Sequence, residues 1–239
     1  MTNKRSPADN VGVWIALLIY SLWLGHLVFA LAYATLEWRS FWLWVHVFVQ
    51  GYLFTGLFIT GHDAMHGTVC KNRRLNDFIG WVSTLSFAFL SYSILRKNHY
   101  LHHQFPASEK DPDFHPHSNN VLFWWVRFMK HYTTWWQLVL MAVTFNILLI
   151  WFSVPQLLLF WVVPAFLGTF QLFVFGTYIP HRRPHTEQMG IHRARTLPKN
   201  HWIAMLTCYF FGYHREHHIR PTIPWWKLYS AKDPGFPIV

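Results

Sequence analysis

Long apolar runs alternate with short polar segments along the chain. Four of them cover residues 11–36, 41–61, 135–153 and 157–180, and each is close to the length that a helix needs to cross a hydrocarbon core about 30 Å thick. Short segments join the first run to the second and the third to the fourth. The pattern predicts an all-α integral membrane protein with four transmembrane helices in two hairpins, the last helix being kinked at Pro164.

A fifth apolar run, 78–95, contains several Ser and Thr residues and could either cross the membrane or lie along its surface. The positions of the cations favour the surface. If 78–95 does not cross, all of the 20 Lys and Arg residues except Arg39 lie on one face, which the positive-inside rule assigns to the cytosol. We therefore predict an interfacial helix at 78–95 and both termini on the cytosolic side.

Composition agrees with a membrane protein, since 53% of the residues are hydrophobic and 20% are aromatic. The formal net charge is +10, but the cations are dispersed between apolar runs, so binding of nucleic acid is not expected. No linker, low-complexity run or internal repeat divides the chain. Residues 1–239 are predicted to form a single domain.

Histidines cluster at the cytosolic ends of the predicted helices. Three motifs carry them, "HDAMH" at 62–66, "HYLHH" at 99–103 and "HREHH" at 214–218, and "HRRPH" at 181–185 ends the last predicted span. Histidines three or four residues apart share one face of a helix, and neutral imidazole is a common ligand of transition metals. The candidate metal ligands are therefore His62, His66, His99, His102, His103, His181, His185, His214, His217 and His218.

These ten imidazoles exceed the six or so ligands that one transition metal ion takes, so the motifs predict two metals with open coordination positions. A closed structural zinc site would use fewer ligands, often cysteines, and "HDAMH" lacks the glutamate of a hydrolytic "HExxH" motif. A non-haem di-iron centre that uses O₂ is the better interpretation. The nearest carboxylates are expected to orient the ligands, with direct ligation as a minor alternative: Asp63, Asp111, Asp113 and Glu216.

Two other classes of membrane protein gather histidines. A metal transporter would place its ligands near the bilayer midplane, and a haem-binding cytochrome would use single histidines inside facing helices. The clusters here lie at helix ends instead. His26 and His46 lie within predicted spans and are not expected to bind metal, and for His192 a supporting or surface role is at least as good an interpretation as ligation.

The motifs "HDAMHGTV", "NHYLHHQFPASEKDPDFH", "FGTYIPHRRPH" and "FGYHREHHIRPTIPWWKL" resemble those of the membrane fatty-acid desaturase and hydroxylase superfamily. The finer resemblance is to bacterial and cyanobacterial β-carotene ketolases, from about residue 45 to residue 229. The resemblance implies that the histidines of the three boxes are iron ligands. It also compares "HRRPH" with an Asn-x-x-x-His element, which makes His185 the stronger ligand candidate and leaves His181 to ligate directly, to bind through water or to orient a neighbour.

The activity that this resemblance implies is oxidation of the C4 methylene of a carotenoid β-ionone ring to a ketone, by two hydroxylations and a dehydration that use O₂. The carotenoid would enter from the bilayer lipids. Electrons would come from a separate ferredoxin-like donor on the basic cytosolic face, because no haem, flavin or iron–sulfur motif is present. A carotenoid hydroxylase or a membrane lipid desaturase with the same histidine boxes is the alternative, and the preference between plain and hydroxylated rings is left open.

Overall fold

The computed structural model describes residues 10–232, and every regular element in that range is helical. The predominantly helical fold is therefore confirmed, whereas the predicted cytosolic position of the termini concerns residues outside this range. Short 3₁₀ turns follow the longer helices at Glu187–Met189 and Trp225–Lys232. We number the α-helices in chain order as α1 (Val11–Tyr33), α2 (Phe41–Met65), α3 (Arg73–Ala88), α4 (Tyr92–Gln104), α5 (Val121–Tyr132), α6 (Trp135–Leu148), α7 (Val154–His181), α8 (His201–Cys208) and α9 (His214–Ile219).

Among residues 10–232, three helices are long and apolar enough to cross a membrane, namely α1, α2 and α7. The pair α3 and α4 would be a fourth candidate, although the two helices meet at an angle of 102°. Helix α6, within the predicted span 135–153, has 14 residues, so it is about 21 Å long and shorter than a typical hydrocarbon core. The structure thus has three or four candidate spans, and their arrangement in two hairpins stays a prediction.

Helix α7 runs without a break through two internal prolines, Pro164 and Pro180. A proline lacks the N–H that the helix needs, and its ring crowds the preceding turn. The helix widens into a π turn just before each of them, at Leu158–Val162 and Val174–Tyr178, which makes room for the ring without ending the helix. The helix accommodates Pro164 by local widening and continues as far as His181, and the expected kink at Pro164 stays a prediction.

The apolar run 78–95 is divided between two helices. Helix α3 ends at Ala88, and Phe89 adopts the left-handed conformation with φ of 55°, which is a common way of ending a helix. Helix α4 then starts in a direction 102° away from α3. This turn brings the histidines of the second box towards the end of α2, and the placement of the run at the membrane surface stays a prediction.

The C-terminal end of α2 is held by close packing against α3. A Cβ atom at Gly80 would lie 2.9 Å from the Cβ of Ala64 and 2.4 Å from the ring of Tyr92, so only glycine allows the helices to approach this closely. The side-chain amide of Asn76 donates a hydrogen bond of 2.7 Å to the carbonyl of Ala64. These contacts fix the turn of α2 that carries the first histidine box.

Large apolar side chains cover much of the outer surface of the candidate spans. Trp14 is 70% exposed and Phe48 62% exposed. Soluble monomers seldom expose contiguous apolar surface of this extent. The exposed residues therefore agree with a protein whose helices lie in lipid.

Candidate metal centre

Histidine side chains from α2, α4 and α9 meet at one point, and we call them the five-histidine group: His62, His66, His99, His103 and His217. Each offers one ring nitrogen, and the five nitrogens lie within 4.8 Å of one another. The Nε2 atoms of His66 and His99 are 2.7 Å apart, and those of His103 and His217 are 3.0 Å apart. The Nε2 atom of His62 is buried and has no hydrogen-bond partner among residues 10–232.

A second set, the four-histidine group, lies beside the first and comes from α4, the end of α7 and α9: His102, His181, His214 and His218. All four rings are buried. Their Nε2 atoms form a row, in which His102 is 3.1 Å from His218, His218 is 3.0 Å from His214, and His214 is 3.0 Å from His181.

Consecutive histidines divide between the two groups. His102 and His103 are adjacent on α4, and His217 and His218 are adjacent on α9, yet the members of each pair serve different groups. Successive helical residues point about 100° apart, so a doublet necessarily faces two directions. The rings of His103 and His218 stack with centroids 4.3 Å apart. Each "HH" doublet therefore contributes one ring to each of the two neighbouring groups.

The nitrogen spacing fits metal ions. An imidazole nitrogen lies about 2.1 Å from a bound transition metal, so two ligands at right angles are about 3.0 Å apart. The contacts within the groups range from 2.7 Å to 3.1 Å.

When all four rings are neutral, hydrogen bonding alone does not account for the four-histidine row. His102 donates from Nδ1 to Asp111, and His181 donates from Nδ1 to the carbonyl of Arg193 at 3.0 Å. In neutral rings the Nε2 atoms of these two residues are therefore acceptors, and they stand at the two ends of the row. The two middle nitrogens carry at most one proton each, so at most two of the three contacts are hydrogen bonds. A cation among the four lone pairs satisfies all of them.

Burial keeps the three histidines of the last box neutral, which is the form that binds metal. It lowers the pKa of His214, His217 and His218 well below the usual range, and the neighbouring imidazoles lower these pKa values further. The three histidines of the last box are thus in the form that can coordinate a metal.

The predicted carboxylates of the loop after α4 support His102. Both carboxylate oxygens of Asp111 lie 3.0 Å from His102 Nδ1, and this carboxylate also accepts the N–H groups of Ala107 and Asp113 at 2.8 Å and 2.9 Å. Asp113 lies 3.8 Å from His102 Nδ1 and accepts a hydrogen bond from the Tyr132 hydroxyl. These three residues, His102 with the two aspartates, are also close enough to hold a metal, but Nδ1 of His102 is engaged in the hydrogen bond.

The other two predicted carboxylates are placed differently. Asp63 lies 3.4 Å from His62 Nδ1 and accepts the main-chain N–H of Trp225 at 2.9 Å, so it connects the first box to the tail. Glu216 pairs instead with Lys232 at 3.0 Å and accepts a hydrogen bond of 2.6 Å from the Thr196 hydroxyl. It points away from the rings that flank it in sequence.

His181 belongs to the four-histidine group and His185 to neither group, which reverses the order expected from the resemblance. Helix α7 ends at His181, and Arg182 is extended, so the four-residue spacing of "HRRPH" is not helical. The Nε2 of His185 donates to the carbonyl of His181 at 2.9 Å. His192 is half-buried with its ring centroid 5.6 Å from that of His218, and it also lies outside both groups.

An apolar cavity of about 430 Å³ reaches both groups, a size usual for small-molecule sites. Its walls come from α2, α3, α6 and α7, and include Phe58, Met141 and Trp161. At the metal end it touches two histidines of each group, which are His62, His99, His102 and His214. A ligand in this cavity would lie in an apolar environment directly against the histidine rings.

Two hydrogen bonds that support the histidine groups could not be predicted from sequence motifs. The main-chain carbonyl of Arg193 orients His181, and the hydroxyl of Tyr132 donates to Asp113. The general requirement that a buried tyrosine hydroxyl find a partner is the only available signal, and it does not name the partner. Such contacts follow from loop conformation rather than from residue spacing.

The chain matches the family model described as fatty acid desaturase over residues 39–142 and 122–234. These ranges include more than half of the chain and contain every histidine of both groups. The protein therefore belongs to the fatty acid desaturase family, as the motifs indicated.

Its similarity to carotenoid ketolases is also confirmed. The chain is 39% identical to the zeaxanthin 4-ketolase of Chlamydomonas reinhardtii over 230 residues, which are 93% of this chain and 51% of that protein. It is 35% identical to the beta-carotene 4-ketolase of Protosiphon botryoides, over 95% of this chain and 65% of that protein. It is 35% identical to the beta-carotene ketolase of Paracoccus sp. (strain N81106 / MBIC 01143), over 94% of this chain and 90% of that protein. The chain thus spans about half the length of the Chlamydomonas relative and nearly all of the Paracoccus relative.

Proposed function

We propose that the protein is a membrane-bound, di-iron carotenoid 4-ketolase. The observation that carries the proposal is the apolar cavity that ends against histidines of both groups. An apolar ring in this cavity would face the metals with no water between them. The names of the relatives support a carotenoid as the substrate, above all the Paracoccus protein, of which this chain covers 90%.

The proposed reaction converts the C4 methylene of a β-ionone ring into a ketone in two oxygenations. Each oxygenation consumes one O₂, two electrons and two protons, inserts one oxygen atom and releases one water. The first gives the alcohol and the second gives a geminal diol, which loses water to leave the ketone. The electrons come from a separate ferredoxin-like donor that docks on the basic face of the protein.

Nine histidines fit two irons, five around one and four around the other. When bound, the irons supply the reductive activation of O₂ and the oxidation of the C–H bond. Mostly neutral nitrogen ligands with open positions are typical of such iron sites. His185 is left out of the proposed ligand set because its Nε2 is bound to the carbonyl of His181.

The residues around the site position and shield it. Asp111 and the carbonyl of Arg193 fix the ring planes of His102 and His181, which is the usual role of outer contacts in metal sites. The cavity walls bind the apolar ring by area burial, at roughly 25 cal/mol per Å², and exclude bulk water. The polyene can reach the cavity sideways from the lipid.

The proposed membrane arrangement keeps residues 1–239 as one domain. Four spans form two hairpins, 78–95 lies at the interface, and both histidine groups and both termini face the cytosol. Arg39 would then be the only Lys or Arg residue among the 20 on the outer side, in agreement with the positive-inside rule.

The proposal is tested by expression in cells that make β-carotene, followed by chromatography of the pigments. We expect a C4 ketone with the unmodified protein, none with His103→Ala, and two irons per chain in the purified protein. A product with hydroxyl groups and no ketone would favour a carotenoid hydroxylase. Unchanged pigments with newly unsaturated fatty acids would favour a lipid desaturase.

A further inference from the structure

The four-histidine group has two faces. One of them is directed at the apolar cavity, which His102 and His214 line. The cavity wall, as far as the structure describes it, does not include the other two members, His181 and His218. A substrate in the cavity would cover the first face, so a second partner of the group has to approach from the other face.

The loop that follows α7 covers this other face. The carbonyl of Arg193 accepts a hydrogen bond of 3.0 Å from His181, and the ring centroid of His192 lies 5.6 Å from that of His218. His192 is half-buried, and the neighbouring Ile191 is 87% exposed, so this part of the loop lies at the protein surface. The imidazole of His192 therefore lies between the surface and the four-histidine group.

Arginines from three segments converge near this imidazole. The guanidinium of Arg195 donates to the main-chain carbonyls of Arg182 and Pro184, which brings the two ends of the loop together. Burial lowers the pKa of His192, and the nearby charge of Arg215 lowers it further. Cations from the end of α7, from the loop and from α9 thus lie on the same side of the protein.

These cations lack acidic partners. Residues 182–195 contain four arginines and a single carboxylate, that of Glu187. In the part of the chain that the structure describes, the arginines that form no ion pair include Arg182, Arg193, Arg195 and Arg215. Unpaired cations around an exposed apolar side chain such as Ile191 are suited to bind an acidic protein surface.

We propose that this loop is the docking site of an acidic one-electron carrier protein, and that the ring of His192 carries the electron to the metal at the four-histidine group. This inference rests on the proposed function, which requires two electrons for each oxygenation. Each encounter oxidises the carrier by one electron and reduces one bound ferric ion to ferrous, so two encounters supply one oxygenation. The carrier and the substrate do not compete, because they approach different faces of the group.

A second aromatic ring near the surface offers an alternative path. Tyr100 is 50% exposed, and its ring centroid lies 6.4 Å from that of His66 in the five-histidine group. On the same helix, however, Arg96 is already paired with Asp77 at 3.3 Å. Charge therefore favours the path through His192, and Tyr100 provides the matched comparison for the test.

Docking is tested with a plant-type ferredoxin, an acidic iron–sulfur protein, and the full-length protein in detergent, with and without iron. We expect binding to weaken as salt rises, because salt screens surface charges, and the double variant Arg182→Gln/Arg215→Gln to slow association about tenfold. The control Arg73→Gln/Arg74→Gln removes the same charge at an exposed position of α3 and should have little effect. Equal slowing by the two double variants, or no binding of ferredoxin to the unmodified protein, would overturn the docking site.

The electron path is tested by anaerobic reduction of the iron-loaded protein, followed through the absorbance of ferredoxin. We expect His192→Leu to bind ferredoxin normally and to keep its iron but to be reduced more slowly, because a saturated side chain replaces the conjugated ring. Reduction by dithionite, which needs no docking site, should be unchanged, and Tyr100→Leu should be reduced at the normal rate. An unchanged rate in His192→Leu, an equal loss with dithionite, or a loss confined to Tyr100→Leu would each overturn the path.

Neither measurement depends on the carotenoid product, so this inference and the proposed function can fail separately. If carotenoids become ketones but ferredoxin binds and reduces the arginine and His192 variants normally, the inference is overturned and the ketolase activity stands. If no ketone forms but the binding and the reduction depend on these residues, the proposed activity is overturned and the docking site stands.

Discussion

The two histidine groups share α4 and α9 but differ in how their rings are held. In the five-histidine group the nearest carboxylate contact is that of Asp63, at 3.4 Å from His62. In the four-histidine group, His102 lies 3.0 Å from both oxygens of Asp111, and His181 is bonded to a main-chain carbonyl at 3.0 Å. The five-histidine group thus has more rings, whereas the four-histidine group has fewer rings with shorter hydrogen bonds to their Nδ1 atoms.

This difference indicates two ways of building a metal site. Every member of the five-histidine group comes from one of the three boxes, and helical spacing directs the rings of His62 and His66, and of His99 and His103, to one side of their helix. The four-histidine group takes His181 from the end of a different helix and depends on the loop that carries Asp111. We infer that metal binding in the five-histidine group depends mainly on the number of histidines, and that metal binding in the four-histidine group depends mainly on the orientation of the imidazole rings. Substitutions in each group test this distinction.

Removal of one ligand from either group should have the largest effect. We expect His99→Ala, in the five-histidine group, and His218→Ala, in the four-histidine group, each to lower bound iron from two to about one per chain and to reduce ketone formation by more than about 100-fold, because outer contacts alone already affect metal sites by 10-fold to 100-fold. Iron analysis of purified protein and pigment chromatography measure the two effects. His117→Ala, at an exposed loop position, is the control. Full iron content in either ligand variant would contradict the grouping.

The two histidines of "HRRPH" should behave differently. His181→Ala removes a ring whose Nε2 lies 3.0 Å from that of His214, so we expect loss of one iron and of activity comparable to the loss in His218→Ala. His185→Ala removes a ring outside both groups, and we expect near-normal iron content with activity reduced less than about tenfold. The same iron analysis compares the pair. Iron loss confined to His185→Ala would restore the order that the resemblance implied.

Outer contacts should matter more in the four-histidine group. Asp111→Asn leaves an N–H₂ group facing the N–H of Ala107 or of Asp113 and loosens His102, so we expect the iron affinity of one site to fall by about 10-fold to 100-fold. Asp63→Asn disturbs a longer contact, and we expect a fall of less than about tenfold. Titration with a competing chelator measures both. Equal losses would show that the groups do not differ in their dependence on orientation.

The sequence was sufficient for the parts of the centre that follow from helical spacing. In the second and third boxes, where the backbone is helical, the rings at i and i+4 belong to one group because these positions share a helix face. The rings at i+3, His102 and His217, belong to the other group, which the spacing did not predict. At "HRRPH" the helical rule does not apply, since α7 ends at His181 and the next residue is extended. Spacing predicts geometry only where the secondary structure continues.

Other features depended on contacts between distant residues. The division of 78–95 into two helices depends on the left-handed conformation of Phe89. Glycine is the residue that usually signals this conformation, so a phenylalanine gives no such signal in the sequence. Glu216 lies inside a histidine box, yet its carboxylate is drawn to Lys232 in the following 3₁₀ segment. In both cases tertiary packing, rather than the local pattern, determines the outcome.

The smallest effect is expected at a third histidine contact, which lies between α1 and α2 within the candidate spans. His26 Nδ1 is 2.5 Å from Gln50 Oε1, and His26 Nε2 is 3.1 Å from His46 Nδ1. Both nitrogens of His26 are thus used in contacts between the two helices, and neither His26 nor His46 belongs to a metal-sized group among the described residues.

Replacement of His46 should therefore test stability without touching the metals. Hydrogen bonds between transmembrane helices contribute about 0.6 kcal/mol on average, so we expect His46→Leu to lower the free energy of unfolding in detergent by about that amount, with two irons still bound. Thermal unfolding and iron analysis of the same preparation measure the two quantities, and Phe48→Leu, at an outward-facing position of α2, is the matched control. Loss of iron in His46→Leu would mean that imidazoles inside the spans take part in the centre, and that the distinction between ligand and structural histidines by helix position is wrong.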